Sequence, residues 1–276
     1  MKLIDFDGMF DEKLTEYMEQ NKGKYTEKQW ENVIPKLYKK FGDTYVAKVK
    51  CTPKEYYGNM TDEELVKTFE GHLETGIPVS EFLCDEIEKR NPVEALLPLT
   101  ESENSETALY AVNLLGANEK AFDTYFKILL QENADEDVRD AVIENLKEKA
   151  DEAKERALAF YNQGKQTEYM MEILSRVTLP CEEIFSVLCA AFKSGENLPM
   201  RASYLASYGD ERALPMLLDA IDKEDISFVE FQELKYAIEA LGGEYNKPRD
   251  FSSDDDFIAI GEASDKEGFS EIGLKS

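Results

Sequence analysis

An all-α fold of repeated helix pairs is predicted by three features of this sequence. Apolar residues recur with a period near 31, glycines directly follow the recurring helices, and capping boxes stand ahead of amphipathic runs. Self-similarity at such a period marks stacked supersecondary units, none of which can bury its apolar faces alone. Five segments close on Leu115, Leu146, Val177, Tyr208 and Leu241, at successive separations of 31, 31, 31 and 33 residues. Three and four positions before these anchors stand Ala111 and Val112, Val142 and Ile143, Ile173 and Leu174, Tyr204 and Leu205, Ala237 and Ile238, all apolar. Residues at that spacing share a helix face and are the predicted core of each second helix.

The helix after each anchor repeats as well. Positions seven, eleven and fourteen residues on are Phe122, Phe126 and Leu129, then Ala153, Ala157 and Phe160, then Ile184, Leu188 and Ala191. In the fourth unit Leu214, Leu218 and Ile221 keep the spacing one residue early. Gly116, Gly209 and Gly242 follow three anchors, where a left-handed C-terminal cap favours glycine, and Asp210 is placed to cap the next helix.

The segment Glu136-Asp137-Val138-Arg139-Asp140-Ala141-Val142-Ile143-Glu144-Asn145-Leu146 resembles the second helix of a HEAT repeat, and Leu97-Pro98-Leu99 and Leu214-Pro215-Met216 resemble its first. The resemblance implies an α-α superhelix, a HEAT-like solenoid of armadillo type, over residues 92–243, with kinks in the first helices at Pro98 and Pro215. The period is shorter than the usual ~40 residues of such repeats, which points to trimmed turns. HEAT-like arrays host many functions, so the resemblance carries fold and not activity.

Residues 1–91 are helical but leave this register. Thr26 with Gln29 and Thr61 with Glu64 have capping-box spacing ahead of Trp30, Val33, Ile34, Leu37, Phe41 and of Leu65, Phe69, Leu73. Between them Tyr45 to Lys50 alternates, and Thr52 to Asn59 reads as a turn-rich connection. The region is expected to be an N-terminal helical cap, because end repeats must present a polar outer face; a separate small domain is the alternative. Residues 244–276 form an acidic tail rich in Gly, Ser and Asp, a composition of weak order. Its Phe251, Phe257, Ile258, Ile260, Phe269, Ile272 and Leu274 imply that part of it docks.

The net charge of −26, from 58 acidic and 32 basic residues, argues against nucleic acid and anionic membrane as partners. The start of the chain has no apolar signal region and no run approaches the ~20 residues of a membrane span, so a cytoplasmic location is expected. Cys51, Cys84, Cys181 and Cys189 include no Cys-x-x-Cys pair and read as reduced, mostly buried thiols, the last two sharing a helix face.

No catalytic residue, metal ligand or cofactor site is assigned. The one histidine, His72, is expected to be a partly exposed helix residue, and one imidazole with dispersed thiols builds neither a zinc site nor a nucleophile pair. Gly242-Gly243 has no strand, lysine or third glycine to bind phosphate, and Asp254-Asp255-Asp256 lacks the alternating ligands of a calcium loop.

Charge is unevenly placed: Lys22 to Lys54 holds nine lysines against Glu27, Glu31 and Asp43, either a solvated face or a dock for an acidic segment, including weak self-association. On each second helix, positions two, five and nine before the anchor form a stripe beside the core face. It contains Glu106, Tyr110, Asn113, Asp137, Glu144, Glu168, Glu172, Tyr236 and Glu239, and none of its fifteen residues is basic. The expectation is a non-enzymatic scaffold that binds a protein, or a basic or amphipathic peptide, in an acidic concave groove. The alternative is an enzyme or enzyme-associated subunit on the same fold, with perturbed carboxylates lining a cleft.

Overall fold

The structure is a computed structural model that describes residues 2–260; Phe269, Ile272 and Leu274 lie outside the described residues. Among those described there is no strand, and no helix is long and apolar enough to cross a membrane. The chain divides into two compact units, Met1–Asn145 and Leu146–Ser276.

The first unit opens with α1 (Phe6–Gln20) and α2 (Glu27–Phe41). It continues through α3 (Pro53–Gly58), α4 (Asp62–Thr75), α5 (Glu81–Arg90) and α6 (Val93–Leu96). After a 3-10 turn over Leu97–Glu101 come α7 (Ser105–Leu115), α8 (Phe122–Leu129) and α9 (Glu136–Glu148), whose last turn belongs to the second unit. Both predicted capping boxes are formed, at Thr26–Gln29 and Thr61–Glu64. The expected turn at residues 52–59 is instead a helix. Thr52 and Glu55 make a third capping box and Pro53 sits in the first turn of α3, where its missing N–H costs nothing.

The second unit holds α10 (Ala150–Asn162), α11 (Thr167–Leu174), α12 (Glu182–Lys193), α13 (Leu198–Tyr208), α14 (Leu214–Ile221) and α15 (Phe228–Ala240). α10 packs on α11, α12 on α13 and α14 on α15, while α13 also touches α11 and α15. Second helices therefore lie side by side within this unit.

All ten predicted second-helix core positions are buried, from Ala111 and Val112 to Ala237 and Ile238. The period recurs in the residues that precede these helices. Asn104, Asp135, Gln166, Asn197 and Ser227 stand at separations of 31, 31, 31 and 30. Asn104, Asp135 and Ser227 accept hydrogen bonds from first-turn amides. Gln166 and Asn197 instead turn the chain with positive φ, each at 45°. Gly116, Gly209 and Gly242 have positive φ, and Asp210 caps the turn that follows Gly209.

Three details differ from the sequence reading. In α14 and the 3-10 turn before it the core face is Ala213, Leu217, Ala220 and Ile221, whereas Leu214 and Leu218 are only half-buried. Pro215 lies in the first turn of α14 after a 3-10 turn and kinks nothing, while Pro98 falls where α6 passes into 3-10 geometry. The anchor Tyr208 is half-buried, because its hydroxyl leaves the core to take the Cys181 amide at 2.8 Å and to donate to the Cys181 carbonyl at 3.0 Å.

The tail docks as far as Phe257. Phe251 and Phe257 set their rings against Phe228 at 5.3 and 5.0 Å, and Asp254 takes the Phe228 amide at 3.1 Å before a helical stretch at 255–260. All four cysteines are free and half-buried rather than mostly buried.

Candidate functional site

The outward stripe of the second helices is present on both units, but its residues are not equivalent. In the first unit Glu106, Tyr110 and Asn113 on α7 and Asp137 and Glu144 on α9 are all exposed. Tyr110 leans the edge of its ring on Phe69, 5.9 Å between centroids, and keeps 41% of its surface open. Among the described residues neither Glu106 nor Asp137 has a basic side chain at ion-pairing distance.

In the second unit the acids are held from within. Glu168 on α11 accepts both guanidinium nitrogens of Arg201 from α13, with Nη1 at 2.7 Å, and Arg201 is 5% exposed. Lys147 donates to Glu172 at 2.9 Å, both partly buried. Arg201 needs that counter-charge, because a guanidinium out of water is stable only when paired. These two glutamates bond neighbouring helices and are thereby less available to a partner. Tyr236 on α15 is 64% exposed, and Glu239 beside it only approaches Lys235, at 3.9 Å.

A second cluster, which the sequence reading does not foresee, lies in the first unit. His72 is fully buried in α4, contrary to the expected partial exposure. Its Nδ1 is 2.9 Å from the Pro78 carbonyl and 3.3 Å from that of Ile77, so Nδ1 carries the proton. The chain turning back after α4 is what covers it. Tyr38 donates to Asp7 Oδ1 at 2.5 Å, lies 3.4 Å from Ser80 Oγ, and stacks on Phe82 at 4.6 Å.

Burial is the main cause that raises the Asp7 carboxyl above its ordinary value; the Tyr38 hydrogen bond opposes it, and Asp5 and Asp11 add to it. Burial likewise pushes the Cys84 thiol up to about 11 and raises the Tyr38 and Tyr57 hydroxyls strongly. The adjoining cleft, of about 490 Å³, is lined by Tyr38, Phe10, Ile34, Phe82, Glu81 and Asp85 among others, and Asp7 is not part of its wall. The Asp7–Tyr38 pair ties α1 to α2 instead of presenting a carboxylate to a cleft.

Among the described residues no group of histidine, cysteine and carboxylate side chains is placed to hold a metal ion. Comparison with protein-family models, with curated proteins and with solved structures gave no match. The cluster around Asp7 was missed because its members come from four helices at irregular separations, which no motif spacing encodes. Its one local signal is the pair of aspartates flanking Phe6 at the start of α1.

Proposed function

We propose that the chain is a HEAT-like α-α superhelix that works, in the cytoplasm, as a non-enzymatic scaffold for another protein or for a basic or amphipathic peptide. What supports the reading is one contrast on the second helices: the ten core-facing positions are buried, while the adjoining stripe keeps Glu106, Tyr110, Asp137, Tyr236 and Glu239 in solvent. Tyrosine adds contact area at little conformational cost, and exposed carboxylates beside it select a cationic partner. Glu168 and Glu172 serve the layer itself, so recognition is assigned to the stripe of the first unit and to Tyr236 with Glu239 on the second.

A photo-crosslinking residue placed singly at Tyr110, Tyr236 and, as a control, Glu155 on α10 tests this in the native host. Adducts are expected from the first two and not from the control. Glu106→Lys with Asp137→Lys should remove the Tyr110 adduct without moving the melting curve. Equal adducts at all three sites, or an adduct indifferent to the reversal, would discard the stripe.

A further inference from the structure

One strongly one-sided helix of the first unit is poorly covered. α2 buries only Phe41 completely; Val33, Ile34 and Leu37 remain half-buried, and Trp30 rests at its start on Tyr17 and Tyr25, at 6.2 and 4.9 Å. Between α1 and α2 runs a groove of about 150 Å³, room for one large side chain, floored by Phe10, Leu14, Tyr17, Leu37 and Phe41. Its charged rim is Lys13 and Lys40, and no carboxylate lines it. Lys13 lies 4.9 Å over the Phe41 ring. Among the described residues neither rim lysine is ion-paired, nor are Lys28, Lys36 and Lys39 on the same helix.

Unpaired lysines around an apolar slot are unusual in a chain with 26 more acidic than basic residues. Complementarity then specifies the occupant: an aromatic or aliphatic anchor with a carboxylate on either side. This chain holds such a segment in Glu267-Gly268-Phe269-Ser270-Glu271-Ile272, beyond the last described residue. The described chain leading to it leaves Ile258 44% exposed.

We propose that the α1–α2 groove receives residues 262–276 of a second copy of this chain, with Phe269 as the inserted side chain and Glu267 and Glu271 against Lys13 and Lys40. The site is distinct from the second-helix stripe and does not rest on it. Groove and segment are different surfaces, so the contact is heterologous, and the size of the assembly at high concentration shows whether it closes on itself or extends copy by copy. Exposed charges are screened within ~8 Å at physiological salt, so association is strongest at low ionic strength.

Sedimentation velocity of the full chain over a concentration series, at low and high salt, gives the test. Wild type should sediment faster with rising concentration at low salt and as a monomer at high salt. Lys13→Glu with Lys40→Glu should weaken association about tenfold, and Phe269→Ala on the order of thirtyfold. Both lysines are exposed, so circular dichroism should be unchanged. Adding Glu267→Lys and Glu271→Lys to the lysine reversal restores opposite charges and should restore association, which a merely destabilised variant would not do. A concentration-independent monomer, or reversals without effect or without rescue, overturns the proposal. Binding of a synthetic Glu-Gly-Phe-Ser-Glu peptide to a chain that stays monomeric also overturns it, and gives the groove to the tail of the same chain or to a foreign acidic segment.

Discussion

The α1–α2 hairpin and the α11–α13–α15 layer are both built from short amphipathic helices, yet they use them differently. The two fifteen-residue helices of the hairpin bury Phe6, Phe10 and Phe41. The eleven residues of α13 bury five side chains, Leu198, Arg201, Ala202, Tyr204 and Leu205. α13 has α11, α12 and α15 around it, whereas α2 has α1 and, at its C-terminal end, Phe82 of α5. A narrow apolar stripe serves a single neighbour, whereas a helix apolar over much of its circumference is one packed on several sides. In α2 the one-sided sequence goes with an open flank, and in α13 the broader apolar surface goes with burial.

The contrast breaks most visibly if charge is forced into each place. Leu205→Asp buries a carboxylate where 1% of the side chain is exposed and should destabilise the second unit by about 4 kcal/mol. Ile34→Asp on half-buried α2 should cost only about 1 kcal/mol. Denaturant unfolding followed by circular dichroism reads both; equal losses would erase the distinction. Next in size is Glu168→Gln, which leaves the Arg201 guanidinium without its counter-charge. Because Glu168 is itself half exposed, the expected loss is about 1–2 kcal/mol, below that of a fully buried pair.

Smaller effects sharpen the picture. Gln166 precedes α11 with φ of 45°, a conformation costly for a residue with a Cβ, so Gln166→Gly should stabilise by about 0.5 kcal/mol despite the added freedom of the unfolded chain. Asn197 at the equivalent place tolerates the conformation better, and its replacement by glycine should gain less. A rise in melting temperature for Asn197→Gly but not Gln166→Gly would contradict the strain assigned here.

The smallest effect depends on pH. The Asp7 carboxyl is raised in the folded state, chiefly by burial, so folded protein binds its proton more readily than unfolded protein does. Its ionised form therefore opposes folding above the carboxylate range, and the opposition fades as pH falls and Asp7 is protonated in both states. Asp7→Asn should melt slightly higher than wild type at neutral pH and lose that lead in acid. A lead that grows in acid would reverse the sign.

How much of this was legible beforehand follows from periodicity. Residues such as Val142 and Ile143 announce their burial because positions three and four before each anchor share one helix face, and that one spacing describes five helices. The stripe positions were readable to the same degree, but their state was not. Whether Glu168 faces solvent or Arg201 depends on a residue 33 positions away, on another helix. α14 shows a subtler limit: Leu214 and Leu218 have the right chemistry at nearly the right spacing, and a 3-10 turn at Glu211–Ala213 rotates the helix so that Ala213 and Leu217 face inward instead. His72 escaped because nothing within α4 reveals that the following chain folds back over it.

The ties of α1 have a consequence for the order in which the protein can form during synthesis. Phe6 rests on Tyr56 and Tyr57, the Lys2 carbonyl accepts from Tyr56, and Tyr38, which holds Asp7, stacks on Phe82. The hairpin cannot complete its contacts until Phe82 has been made, some 75 residues after Asp7. In the second unit, by contrast, α11 meets α13 and α13 meets α15 after about thirty residues, and closure of the shorter loop costs less entropy. The α1–α2 hairpin should therefore spend the longest time exposed on a nascent chain, and be the part most in need of protection there.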